Sequence, residues 1–337
     1  MAPVTVAVLA VDGGNSKTDV ALVGHDGTLL GYARGPGSNH QVIGLEAAVK
    51  VLADCVSTAA GEAGIDGRPV AEVGAFYLAG ADYPDERQML SERVSASGWA
   101  RVLNLDNDAF ALLRAGTQAP NRVGVVCGAG INCVGQSARG GRFQFPAVGT
   151  ISGDWGGGSA LGMEALFLAV RAEDGRGEET LLREAVQEHF RTASVAEVTE
   201  ALHFGRWPMA RIHELAPVML WAAAAGDRLA SAVVARLAQE VFLMVRVAID
   251  RLGIGNESTD VVLGGGVLTA RQPQLVDEVS RRIHGHAPGA RVQVADSPPV
   301  VGAALLGLDA LGLTASAEPR VRRGLLDRIN GLVVTAN

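Results

Sequence analysis

Three glycine-rich turns and a few acids are the residues of this chain whose types and spacing could do chemistry. The first turn, Asp12-Gly13-Gly14-Asn15-Ser16-Lys17-Thr18, follows an apolar run directly. Glycines lack Cβ atoms, so backbone N–H groups there can come close to a phosphate. Asp12 at the end of the run could hold Mg2+, directly or through water, and Ser16, Lys17 and Thr18 offer donors to phosphate oxygens. It is not a Walker loop, since GxxxxGK[ST] is absent and no helix follows. The second turn is Gly128-Ala129-Gly130-Ile131-Asn132 and the third Gly264-Gly265-Gly266, each again after an apolar run. One such turn is as easily an ordinary hairpin; three at strand ends favour a nucleotide.

Phosphoryl transfer to a hydroxyl asks for a carboxylate that orients and deprotonates the acceptor. In Leu105-Asp106-Asn107-Asp108 both Asp106 and Asp108 qualify, and period-two geometry puts them on one side of an extended strand. Asp108 also suits the cap of a helix starting at Ala109. Asp154 lies in Ser152-Gly153-Asp154-Trp155-Gly156-Gly157-Gly158 just before a helix, a place where an acid is most often a cap. Ser38-Asn39-His40 forms a polar loop whose Asn39 and His40 suit several sugar hydroxyls, although Asn is also a common turn former. Cys127 and Cys133 flank the second turn and read as small buried hydrophobes.

The elements that must position these groups occur twice. Residues 6–11, 18–23 and 28–33 read as three strands joined by turns, the second at His25-Asp26-Gly27. A helix over 45–63, a strand over 73–79, a helix over 85–97, a strand over 102–105 and a helix over 109–115 follow. The three-strand pattern then restarts at 123–127, 133–136 and 142–146. A long helical region over 159–252 intervenes before strands at 261–263 and 292–294 and helices at 273–283 and 300–311. Such a repeat predicts an α/β fold of the actin-like ATPase (ribonuclease H-like) type: two βββαβαβα-type domains around a nucleotide cleft. The expected divisions are an N-terminal domain at 1–119, a C-terminal domain at 120–311 and a tail at 312–337.

Bulk properties narrow the partners. The 337 residues allow two cored domains, and 43 glycines with only 4% aromatics suit many tight turns in an Ala/Val/Leu-packed interior. A net charge of −7 without a basic block speaks against nucleic acid; Arg320, Arg322 and Arg323 read as a solvated face. Three cysteines make no disulfide framework or zinc spacing. The N-terminal MAPVTVAVLAVDGG reads as a first strand, not a signal peptide, and no uninterrupted apolar stretch is long enough for a membrane span. A cytoplasmic setting without membrane partners is expected.

In order and context these motifs resemble the BadF/BadG/BcrA/BcrD-type ATPase family, and within it the N-acetylglucosamine kinases. The resemblance runs from VDGGNSKT to PPVVGAALLGL and leaves only the stretch after Leu311 unmatched. It implies ATP with Mg2+ as cofactors, and phosphate contacts at Asp12, Gly13, Gly14, Asn15, Ser16, Lys17 and Thr18. Asn15 stands where the family usually has Gly and Ser16 where it has Thr. Further phosphate contacts are implied at Gly128, Ala129 and Gly130, and adenosine contacts at Gly264, Gly265 and Gly266. By the same resemblance Asn39, His40, Ile131, Asn132, Gly149 and Asp154 bind the sugar, and Asp108 rather than Asp106 is the general base. Gln41 stands where an aromatic is common, and Trp155 and Gly157 also depart from the family pattern.

The activity implied is phosphorylation of N-acetylglucosamine at its 6-hydroxyl, with glucosamine or N-acetylmuramic acid as alternatives. A homodimer is implied as well. The family also contains iron–sulfur activators of acyl-CoA dehydratases, which need cysteines presented to a cluster, and the same fold serves non-catalytic sugar sensors.

Overall fold

The computed structural model describes residues 5–335. The first four residues of the expected N-terminal strand region and the last two of the expected tail lie outside that range. The apolar run at the start becomes β1 (Val6–Gly13), buried at all eight positions. It pairs antiparallel with β2 (Lys17–Gly24), which pairs antiparallel with β3 (Leu29–Pro36). Two short helices' worth of chain follow as α1 (His40–Ile43) and the longer α2 (Leu45–Glu62). On its other side β1 pairs in parallel with β4 (Ala71–Leu78), and β4 with β5 (Ala100–Asn107); α3 (Pro84–Ala96) connects these two strands. The order is therefore β3-β2-β1-β4-β5. Since β1, β4 and β5 run in parallel, their C-terminal ends share one edge, the edge where ligands bind in open α/β sheets. Asp12, Leu78 and Asn107 are all carried to it. Helix α4 (Asp108–Gly116) starts there directly after β5.

Helix α2 covers this sheet because Ala48, Leu52, Cys55, Val56 and Ala59 recur at helical spacing and are buried. Leu52, Cys55, Val56 and Ala59 join Leu9, Val11, Val20, Leu22 and Phe76 in one core. Burial of each such Leu, Val or Phe is worth roughly 1.5–3 kcal/mol.

The second half repeats the plan. Strands β6 (Arg122–Cys127), β7 (Ile131–Gln136) and β8 (Arg142–Gln144) are followed by α5 (Gly157–Glu173), α6 (Leu182–Phe190), α7 (Val195–His203), α8 (Ala216–Ala224) and α9 (Arg228–Leu252). Then come β9 (Thr259–Gly264), α10 (Gly266–Thr269), α11 (Pro273–His286) and β10 (Ala290–Val294). The sheet order is β8-β7-β6-β9-β10, the same arrangement as the first with each strand in the equivalent place.

The chain folds into two compact units whose divisions differ from those expected. The first holds the chain up to Gly124, Gln144–Pro146 and Ala295–Asn337; the second holds Val125–Phe143 and Ala147–Val294. The last two helices, α12 (Pro299–Leu311) and α13 (Thr314–Thr335), thus belong with the N-terminal sheet. On α13, Ala317, Val321 and Leu325 recur every four residues and are buried. Arg114 of α4, itself buried, pairs with Asp309 of α12 at 2.9 Å and Glu318 of α13 at 3.2 Å. The basic run divides: Arg320 and Arg323 are exposed, as a solvated face would be, while Arg322 is turned inward. Arg320 pairs with Asp26, and Arg322 donates to the Ala115 carbonyl at 2.8 Å while pairing with Glu318 at 2.7 Å. Successive helical residues point different ways, so a run in sequence divides between neighbours in space.

Candidate active site

In the first unit, the shared strand edge collects acids. Asp12 lies opposite Asp19 of β2 and Tyr77 of β4, and is 7% exposed. Burial raises its carboxyl well above the ordinary range, and the charges of Asp108 and Asp19 push it further the same way. No hydrogen bond reaches the Asp12 carboxylate among the described residues. A buried carboxyl without a hydrogen-bond donor is a group that a cation could complete. Asp108 is the first residue of α4; Asn107 caps the helix by accepting the Ala109 N–H at 3.0 Å. The Asp108 carboxyl is pushed up to about 7 by burial first and by the charge of Asp82 second, against two lowering backbone N–H groups. A carboxylate so placed can accept a proton near neutral pH. Asp106, the other sequence candidate, is the next-to-last residue of β5, and its carboxylate accepts the Asn107 N–H at 2.9 Å.

The first glycine turn is closed by the Gly14 N–H donating to Lys17 at 2.9 Å. Its neighbour is the 37–40 loop: the Ser38 N–H donates to the Gly14 carbonyl at 3.0 Å, and the Asn39 amide donates to the Asn15 side chain at 2.7 Å. The first glycine turn and the 37–40 loop are thus one hydrogen-bonded body. Thr18, expected at phosphate, is fully buried instead, its hydroxyl 2.8 Å from both the Pro36 carbonyl and the Ser38 hydroxyl. Since side chains alternate along β2, Thr18 faces inward while Lys17 is half exposed. His40 is nearly buried, with Nδ1 lacking a hydrogen-bond partner among the described residues and Nε2 3.7 Å from Glu86.

The second unit places the other two turns together. Gly265, with φ +83°, packs so closely on the end of β6 that a Cβ there would lie 2.5 Å from the Cys127 carbonyl. The turn at Gly128, Ala129 and Gly130 is braced from below by α5. The Gly158 N–H donates to the Gly128 carbonyl at 2.7 Å and the Ser159 N–H to the Ala129 carbonyl at 2.9 Å. Gly128, Gly130 and Gly266 face open space. Ile131 and Asn132 begin β7 and are buried. Gly149 opens a 3-10 turn, and the Asp154 N–H donates back to its carbonyl at 3.1 Å. Burial raises the Asp154 carboxyl, moderated by the Ser152 hydroxyl at 2.5 Å. Arg236 stacks over Trp155 at 3.8 Å. All three cysteines are buried, and burial pushes the Cys127 thiol up to about 12.

Sequence reasoning missed several groups. Asp19 is fully buried, and burial alone would raise its carboxyl. The Arg34 hydrogen bonds at 2.6 and 3.0 Å, Lys17 at 3.0 Å and the Tyr32 hydroxyl at 2.5 Å hold it below the usual range instead. Its signal was an acid in mid-strand with Arg and Tyr at alternate positions of the next strand. Asp82, bonded to Asn107 at 2.9 Å, and Ser159, 2.7 Å from His213 Nε2, gave no local signal.

Among the described residues no helix is long and apolar enough to cross a membrane. The model of the BadF/BadG/BcrA/BcrD ATPase family matches residues 9–307. The chain is similar to an N-acetylmuramic acid/N-acetylglucosamine kinase of Clostridium acetobutylicum, 25% identical over 302 residues, covering 89% of this chain and 97% of that protein. It is also similar to an N-acetyl-D-glucosamine kinase of Dictyostelium discoideum, 24% identical over 312 residues with the same coverage of each. A solved structure from Chromobacterium violaceum, provisionally named an N-acetylglucosamine kinase, superimposes with a TM-score of 0.72 at 24% identity, over 90% of this chain and all of that one. That likeness establishes the actin-like α/β fold that the two equivalent sheets display. With a family match spanning residues 9–307 of 337, the chain belongs to the BadF/BadG/BcrA/BcrD ATPase family.

Proposed function

We propose that the chain is an ATP-dependent sugar kinase that phosphorylates the 6-hydroxyl of an amino sugar, N-acetylglucosamine foremost. The observation that carries this reading is Asp108: a carboxyl raised to about 7, at a helix start, within the electrostatic reach of Asp12, whose carboxylate no hydrogen bond reaches among the described residues. In this reading the ionised Asp108 orients the sugar hydroxyl and takes its proton as the oxygen attacks the γ-phosphorus. ADP leaves, and Asp108 returns the proton to solvent. The first unit contributes the turn at Gly13, Gly14, Asn15, Ser16 and Lys17 to the phosphates, and Asn39 and His40 to the sugar. The ammonium of Lys17 has donors left for phosphate beyond its bond to Asp19. From the second unit come Gly128, Ala129 and Gly130 for phosphate, Gly264, Gly265 and Gly266 for adenosine, and Ile131, Asn132, Gly149 and Asp154 for the sugar. Asp12 would hold Mg2+, directly or through water; the ion when bound offsets phosphate charge.

The named activities of the two curated relatives support an amino sugar, and the Clostridium protein's double name makes N-acetylmuramic acid the second acceptor to test. Burial of every cysteine supports the kinase over an iron–sulfur activator. Replacement of Asp108 by Asn is expected to lower kcat by roughly 10²–10⁴-fold with nucleotide binding kept. An Asp108→Asn enzyme with undiminished turnover overturns the base. A coupled ADP-release assay over hexoses, N-acetylglucosamine, glucosamine and N-acetylmuramic acid tests the acceptor: ADP released fastest with a hexose that lacks a 2-amino or 2-acetamido group counts against an amino sugar.

A further inference from the structure

A chain of polar side chains runs through the first unit from the phosphate turn to the start of α4. Asn15 Oδ1 accepts from Asn39 Nδ2 at 2.7 Å, and Asn39 Oδ1 accepts the Gln41 N–H at 2.9 Å. Gln41 Nε2 lies 3.3 Å from Asp82 Oδ2, and Asp82 Oδ1 accepts from Asn107 Nδ2 at 2.9 Å. Asn107 Oδ1 in turn caps the Ala109 N–H at 3.0 Å, fixing the helical turn that carries Asp108. Asp82 is the hub. It is 8% exposed, sits in the turn between β4 and α3, and is anchored by its own N–H to Glu86 Oε2 at 3.1 Å.

We infer that Asp82 is a positioning residue of the phosphoryl transfer, holding Asp108 through Asn107 and tying it to the sugar loop through Gln41. This rests on the reading of Asp108 as the base. A buried carboxylate with two side-chain amides on its two oxygens has a fixed orientation, and what it holds inherits that orientation. A loss of about 1 Å in placement costs roughly 10²-fold in rate. The charged groups around Asp108 are Asp82 from the β4–α3 turn and Asp12 from β1; Glu86 and Arg87 of α3 flank Asp82, Arg87 through the Ala81 and Asp82 carbonyls at 3.1 and 3.0 Å. Asp82 is thus also a like charge that favours the protonated Asp108, and its removal should favour the carboxylate.

The test uses the full chain with Mg2+·ATP and N-acetylglucosamine, or the best acceptor of the screen. Asp82→Ala is expected to lower kcat roughly 10- to 100-fold. Asp82→Asn, which keeps the bond to Asn107, should restore most of that loss. It should also move the rising limb of the kcat/KM–pH profile to lower pH, by on the order of one pH unit. Within an Asp108→Asn background, Asp82→Ala should cost nothing further, because its effect passes through Asp108. Full turnover in Asp108→Asn overturns the base itself. If Asp108→Asn is inactive while Asp82→Ala keeps the wild-type kcat, or while its loss persists in the Asp108→Asn background, the positioning role alone falls. If Asp82→Ala does not fold, an unmoved pH limb in Asp82→Asn overturns the role.

Discussion

The chemistry of the candidate site turns on one carboxyl whose environment works against its charge. Asp108 ordinarily titrates at 3.8 and is raised to about 7. As a base it acts only when ionised, so kcat/KM should rise about tenfold per pH unit below 7 and level off above it. A flat profile between pH 5 and 8 removes Asp108 from the role. The same shift has a sign in stability. The folded state binds the proton more tightly than the unfolded chain, so the stabilisation is full below the ordinary carboxylate range and is lost as pH rises through about 7. Asp108→Asn should therefore melt above the wild type at pH 8, with the gap closing toward pH 4. Equal melting at pH 8 would show that the ionised carboxylate carries no burial penalty. From sequence, Asp106 and Asp108 were equivalent candidates on spacing. They part only because β5 ends at Asn107 and the helix begins at Asp108. Asn15 and Gln41, which depart separately from the resembling family's pattern, meet through Asn39 in one chain of hydrogen bonds.

At the scale of elements, the proposed function falls to turns rather than strands, and their geometry is unforgiving. Gly157 opens α5 with φ +76°, and a Cβ there would come within 2.5 Å of the Ala129 and Gly130 carbonyls. Backbone cannot yield as a flexible side chain does. Gly157→Ala is expected to destabilise by about 1–3 kcal/mol and, if the 128–130 turn holds phosphate as proposed, to weaken ATP binding, because that turn must shift. The KM for ATP and a thermal melt check this; an alanine variant with both unchanged contradicts it. The strands were legible because β1, β2 and β4 are buried on both faces and read as continuous apolar runs. The hydrogen bonds joining the 37–40 loop to the first turn were not, since they span some 24 residues between segments that each look like an ordinary loop.

At the scale of the whole molecule, the last helix is structural. Removal of the chain from Thr314 onward would expose the surface under Val321 and Leu325 and take Glu318 from the buried Arg114. A loss on the order of 5 kcal/mol is expected from apolar exposure and a broken buried pair. Chemical denaturation reads it, and a shortened chain as stable as the full one argues against the pairing of α13 with the first unit. The sequence by itself determined the doubled strand pattern, the glycine turns at strand ends and the acids that include the proposed base. All of these are local: an apolar run, a turn residue and an acid at a strand end declare themselves within ten residues. Only the tertiary structure decided that residues 295–335 complete the N-terminal unit, that Thr18 points inward, and that Asp82 stands behind Asp108. Those depend on which distant segments meet, and the free energy of such meetings resides in contacts that no stretch of sequence contains alone.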